Sequence, residues 1–119
     1  MNILAVHNIK GGVGKTTTSV NLAWHIVRSG WNVLLWDLDP QGASTFYFRI
    51  RNHVKGGGKA ILKRKSPLME HIKATDYEGL DLLPADFSYR HLDIYLSKGN
   101  DHREHLRKVL APLATAYDF

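Results

Sequence analysis

Residues 10 to 17 read Lys-Gly-Gly-Val-Gly-Lys-Thr-Thr, between an apolar run, Ile3 to Val6, and a stretch of helical periodicity. Glycines at 11, 12 and 14 open backbone angles closed to other residues, so the chain can turn sharply and point successive N–H groups at one place, as an anion requires. A helix starting near Lys15 aims its positive end at the same place. Lys15 adds a mobile charge, and the Thr16 hydroxyl is placed to ligate a magnesium ion that bridges phosphates. Lys10, Gly11, Gly12, Val13, Gly14, Lys15, Thr16 and Thr17 together read as a polyphosphate cradle. The strict pattern G-x-x-x-x-G-K-[ST] asks for glycine at position 9, where this chain has Ile9, and a lysine stands at the front of the loop as well as the back. A fortuitous glycine turn is the competing reading, and eight residues in register between strand and helix speak against it.

A loop of this kind needs a strand before it and a helix after it, and the chain reads that way. Ile3 to Val6 is expected as a strand covered on both faces of a parallel sheet. Lys15 to Ser29 follows as a helix, with Val20, Ala23, Trp24 and Val27 on one face and Gly30 at the C-terminal cap. Val33 to Trp36 is a second buried strand, closed by a turn at Pro40, so that a βαβ unit is complete by Asp37. The stretch Val-Lys-Gly-Gly-Gly-Lys at 54 to 59 reads as a flexible loop. It is not a second phosphate loop, since no strand precedes it and Ala60 follows the lysine. Ser66 and Pro67 suit an N-cap and first position for a short helix through Ile72. Leu80 to Leu83 is a third strand. Ser88 to Ser97 is a helix with Leu92, Tyr95 and Leu96 on one face and Gly99 after it. Asp101 and Glu104 form a capping-box pattern for a last helix with an apolar stripe of Leu106, Val109, Leu110, Leu113 and Tyr117, which Pro112 should kink or split. No internal repeat is present.

A length of 119 residues suits one small domain over residues 1–119. The absence of cysteine excludes disulfides and thiolate metal sites, and no apolar run is long enough to cross a bilayer, so the expected setting is the cytoplasm. Of the net charge of +5, much lies between residues 49 and 65, where Arg49, Arg51, Lys55, Lys59, Lys63, Arg64 and Lys65 occur without an acidic residue. Such a cluster suits nucleic acid, acidic lipid or a phosphorylated ligand, and equally a solvated loop. His102 and His105 lie one helical turn apart but lack a third ligand type for zinc. Trp24, Trp31 and Trp36 read as packing residues. Asp37 and Asp39, at the end of a strand, suit metal and water chemistry beside a phosphate site, or else only shape the turn into Pro40.

The stretch KGGVGKTTTSVNLA followed by VLLWDLDPQG resembles the deviant Walker A ATPases of the ParA/MinD group, and within it the ParA (Soj-like) chromosome and plasmid partition ATPases. The Asp-Pro-Gln-Gly after Leu38 separates that branch from the MinD-like cell-division proteins. LDLLPADFSYRHLDIYL and the closing YDF also resemble it, so the similarity covers nearly the whole chain. The resemblance implies an α/β P-loop NTPase of the SIMIBI type, a parallel sheet flanked by helices, with ATP and magnesium as cofactors. It implies that Lys15 binds the β- and γ-phosphates, that Thr16 and Asp37 serve the magnesium and its water shell, and that Asp39 orients the attacking water. Lys10 would reach the partner's ATP across a nucleotide-sandwiched homodimer. Further implied partners are a ParB-like centromere-binding protein and non-specific DNA, with a place in the cytoplasm or on the nucleoid. In this family YDF opens the strand that carries the Walker B aspartate. The chain is thus expected to be the N-terminal part of such an ATPase, truncated before that strand and leaving an apolar sheet edge. Two functions are expected: ATP-driven DNA segregation, or a truncated non-catalytic nucleotide-binding remnant that at most associates with an intact homologue.

Overall fold

The computed structural model describes residues 1–63, 67–97 and 102–119, with the backbone alone at 93, 95, 97, 102 and 103. Its elements in chain order are α1 (Lys15–Arg28), β1 (Val33–Trp36), α2 (Ala43–Tyr47), α3 (Gly57–Leu62), β2 (Lys73–Ala74), β3 (Leu80–Leu83), α4 (Leu92–Ser97) and α5 (His102–Leu110). Short 3-10 turns cover Leu68–His71, Phe87–His91 and Ala111–Leu113. The sheet order is β1-β3-β2. β1 runs parallel to β3 with Val33 opposite Leu80 and Trp36 opposite Leu83, while β2 runs antiparallel to β3. The sheet is therefore mixed rather than parallel throughout, because a strand of two residues, too short to show any period in the sequence, joins the edge of β3.

Alternation along β3 divides the interior in two. Leu80 and Leu82 join Val33, Phe48 and the α1 residues Val20 and Ala23 on one face. Leu83 joins Val54, Ile61, Leu68, Tyr89, Val109, Leu113 and Tyr117 on the other. Both apolar stripes expected from periodicity are thus found at work, that of α1 and that of the C-terminal helix. α1 ends where Gly30, at φ 92°, donates its N–H to Val27 O, as a left-handed C-terminal residue should.

Several expectations are corrected. Ile3 to Val6 forms no strand, and Ile3, Leu4 and Val6 are 68%, 57% and 40% exposed. A strand exists only where neighbours take its backbone groups, and among the described residues this segment is tied to the rest of the chain by the Asn2 N–H to Asp118 O at 2.6 Å. The unit around α1 is accordingly helix then strand, not a closed βαβ. On the outer edge of β1, the Leu34 N–H reaches Phe119 O at 2.9 Å, and no strand among the described residues pairs with that edge further along.

The glycine-rich stretch 54–59 is not a flexible loop, for it opens α3. Gly58 is required there by packing: a Cβ would lie 2.8 Å from both Leu92 Cδ2 and Tyr89 Cδ1. The segment expected as a helix through Ile72 is a 3-10 turn with Pro67 at its cap position, and Ser66 lies outside the described residues. The helix expected over 88–97 is a 3-10 turn followed by α4, started by Asp86, whose side chain accepts the Ser88 N–H. Pro112 does split the last helix, converting residues 111 to 113 to a 3-10 turn. Asp101 and Gly99 lie outside the described residues.

Candidate nucleotide site

The glycine-rich loop has the backbone that its composition demands. Gly12 and Gly14 take φ of 71° and 89°, a region that favours glycine, and α1 begins at once. A Cβ placed on Gly11, Gly12 or Gly14 would meet nothing within 4 Å, so the loop opens onto free space. The first N–H of α1 bonded within the helix is that of Thr18, to Gly14 O at 2.8 Å. The N–H groups at the head of α1 before it thus point out of the helix, the donor set an anion needs. Lys15 Nζ lies 3.4 Å from Lys10 O, and the Lys10 N–H is held by Asn8 Oδ1 at 2.9 Å. Lys10 is exposed, whereas Lys15 and Thr16 are half-buried.

The carboxylates lie at the same end of the sheet. α1 and β1 are joined by residues 29–32 and pack against each other, so the strand returns along the helix and its C-terminal end faces the head of α1. That edge of an α/β sheet is where ligands ordinarily bind.

Asp37 and Asp39 meet different fates there. Asp37 is 6% exposed. Its Oδ2 accepts the Thr45 N–H at 2.8 Å and the Thr45 hydroxyl at 2.7 Å, and its Oδ1 accepts the Asp39 N–H at 3.2 Å. The Asp37 N–H is itself held by Leu83 O at 3.0 Å, tying the end of β1 to the end of β3. Asp39 is exposed, with Oδ1 accepting the Gln41 N–H at 2.9 Å and its carbonyl accepting the Gly42 N–H at 2.9 Å. One aspartate is bound into the protein and the other is presented by the turn that ends at Gly42.

Sequence reasoning missed Thr45 and the turn at 84–86. Thr45 is fully buried and its hydroxyl oxygen accepts the Ala85 N–H at 2.9 Å while donating to Asp37. A threonine eight residues after an aspartate carries no local signal, since only the fold brings them together.

The basic stretch is more ordered than a solvated loop. Arg49, Arg51, Lys55, Lys59 and Lys63 are exposed, while Arg64 and Lys65 lie outside the described residues. Its backbone is pinned by Asp86, whose Oδ2 accepts the Val54 N–H at 2.9 Å, and by Ser88, whose Oγ accepts the Gly58 N–H at 2.8 Å. Burial pushes the Asp86 carboxyl up, but the hydrogen bonds from Ser88 and the Val54 N–H outweigh it and hold the group below its ordinary value. Elsewhere His105 Nε2 lies 2.6 Å from Leu62 O, linking α5 to α3, and the His102 side chain lies outside the described residues. Trp36 packs edge-on to Tyr89, and Trp24 carries Arg28 over its ring, whereas Trp31 is 51% exposed with Phe119 at its edge. Trp31 thus packs less than expected.

An AAA domain family model matches residues 1–119. The chain belongs to the ParA/Soj-type family of P-loop proteins. It is 38% identical over 118 residues to the sporulation initiation inhibitor protein Soj of Bacillus subtilis, covering 98% of this chain and 47% of Soj. It is 33% identical over 118 residues to the chromosome partitioning protein ParA of Myxococcus xanthus, covering 98% of this chain and 42% of that protein. The chain therefore spans about half the length of the curated relatives it matches. Among solved structures it resembles cobyrinic acid a,c-diamide synthase from Mycobacterium smegmatis with bound ATP analog and magnesium, at a TM-score of 0.81 and 32% identity over 94% of this chain and 46% of that one. The α/β P-loop fold expected from the sequence is thus established. Among the described residues no helix is long and apolar enough to cross a membrane.

The donor set fits a magnesium–nucleotide pair. The cradle offers unpaired backbone N–H groups, a lysine and a threonine hydroxyl, and hard oxygen ligands are what magnesium takes.

Proposed function

We propose that this chain is the phosphate- and magnesium-binding part of a ParA-like partition ATPase. In this reading ATP draws two copies together around the nucleotide, and hydrolysis stimulated by a ParB-like centromere-binding protein releases non-specific DNA. The observation that carries the reading is the pairing, at one end of the sheet, of the open glycine cradle at the head of α1 with the Asp37 to Asp39 turn at the end of β1.

Residues 11 to 17 would hold the phosphates through backbone N–H groups, with Lys15 as the mobile countercharge and Thr16 and Asp37 serving the magnesium. The ion, when bound, offsets charge on the phosphates. Asp39, exposed beyond the buried aspartate, would accept a hydrogen bond from the attacking water and orient it. Lys10, at the exposed front of the loop, would meet the nucleotide held by the second copy. The exposed cations between Arg49 and Lys63 support contact with the phosphate backbone of DNA. Replacing Lys63, Arg64 and Lys65 with alanine then lowers retention on DNA, most at low salt, and unchanged retention removes that part of the reading.

Steady-state ATP turnover tests the whole. Magnesium-dependent hydrolysis that disappears in Lys15→Ala, with Asp39→Ala binding nucleotide without turning it over, supports the reading. A folded chain that binds neither ATP nor ADP overturns it.

A further inference from the structure

An ionised carboxylate has about four acceptor positions, two on each oxygen. In Asp37 both positions of Oδ2 are filled by Thr45, through its N–H at 2.8 Å and its hydroxyl at 2.7 Å. One position of Oδ1 is filled by the Asp39 N–H at 3.2 Å. One acceptor position on Oδ1 is left. The Thr45 hydroxyl is equally committed, with its proton on Asp37 and its oxygen accepting the Ala85 N–H at 2.9 Å. The whole arrangement is buried, Thr45 at 0% and Asp37 at 6% exposure, so the carboxylate cannot turn without leaving donors unpaired.

We propose that Thr45 is a positioning residue of the nucleotide site: it occupies Asp37 Oδ2, leaves Oδ1 as the oxygen that serves a metal-bound water, and through the Asp39 N–H sets where Asp39 is presented. This rests on the reading that the chain binds a magnesium nucleotide. Valine at position 45 keeps the shape of threonine and its backbone N–H to Oδ2, but removes the hydroxyl donor to Oδ2 and the acceptor for the Ala85 N–H. Serine keeps both. The Ala85 contact extends the arrangement to the turn after β3, so the rotation of Asp37 is set by three separate pieces of chain: the end of β1, helix α2 and residues 84–86.

The test measures ADP affinity of the full chain with and without magnesium, using a fluorescent ADP, for wild type, Thr45→Val and Thr45→Ser. Magnesium is expected to tighten ADP binding by wild type. Thr45→Val loses at least tenfold of that gain while its magnesium-free affinity stays within threefold, and Thr45→Ser keeps the gain. A valine variant that is less stable yet keeps the full gain shows a structural role only and overturns the proposal. Should the valine variant not fold, amide chemical shifts of wild type decide: adding magnesium to the ADP-bound chain must shift the Thr45 and Ala85 amides, and amides that stay put overturn the proposal. Wild type that binds no ADP, with or without magnesium, overturns the functional reading itself, whereas wild-type binding with an unchanged valine variant removes only the role of Thr45.

Discussion

The glycine cradle at 11–17 and the buried turn at 37–45 lie at the same end of one sheet, yet they are built in opposite ways. The cradle is exposed or half-buried, held by short-range contacts such as Lys15 Nζ to Lys10 O and Thr18 N–H to Gly14 O. The turn is buried and held by side chains distant in sequence, with Thr45 reaching both Asp37 and Ala85. The proposed site leaves the N–H groups at the head of α1 facing open space and pairs the donors that orient Asp37. Substitutions in the cradle should therefore cost binding and little stability, and substitutions in the buried network should cost stability first.

The largest expected effect is Lys15→Ala. Losing a charge-assisted contact to phosphate should weaken ATP binding by about a hundredfold or more, equivalent to about 3 kcal/mol. The melting temperature should stay within about 2 °C, since among the described residues the Lys15 ammonium is held only by Lys10 O, at 3.4 Å. Nucleotide titration and thermal melts check this, and a large drop in melting temperature breaks the comparison.

On the buried side, Asp86→Ala leaves the Val54 and Ser88 N–H groups without their acceptor and should destabilise the fold by about 1–3 kcal/mol in denaturant titrations. Nucleotide affinity should change by less than about threefold. A loss of affinity matching that of Lys15→Ala would show that the cradle depends on the network under the basic segment.

Gly58→Ala comes next. Its Cβ would press on Leu92 and the buried ring of Tyr89, and overpacking of this kind costs about 1–3 kcal/mol. Gly11→Ala meets open space and, having no left-handed φ to lose, should leave stability within about 0.5 kcal/mol while hindering the approach of phosphate to the backbone.

The smallest expected effect is on pH dependence. Burial, reinforced by Lys73, His53 and Lys55 and opposed by Glu70, lowers the His71 pKa below its ordinary 6.5. A group with a depressed folded pKa favours folding above its unfolded value, and that contribution fades as pH falls through the folded value. Stability should therefore decline modestly below about pH 6.5 and then again below the ordinary Asp value of 3.8, where Asp86, also depressed, takes up its proton. His71→Gln should flatten the first decline and leave the second.

Much of the fold was legible in the chain because its signals are local. The apolar stripe of α1, the strands Val33–Trp36 and Leu80–Leu83, and the effect of Pro112 all follow from periodicity or from one residue's geometry. Ile3 to Val6 fails for the converse reason, since an apolar run states a preference for burial but supplies no neighbour to pair with. The stretch 54–59 misleads because glycine, which usually loosens a chain, is here the one residue small enough to let α3 lie against Tyr89 and Leu92.

What the sequence determined by itself is the cradle: left-handed angles at Gly12 and Gly14, a helix head beyond them, and Lys15 and Thr16 in register. These are properties of a few consecutive residues. What only the tertiary structure decided is the difference between two aspartates two residues apart. Asp37 is buried and saturated on Oδ2 because Thr45 and the end of β3 close over it, while Asp39 stays in the open on the turn. Hydrogen-bond satisfaction is a matter of which distant groups arrive, and that is written in the packing of α2 and the 84–86 turn rather than in the order of residues around the carboxylates.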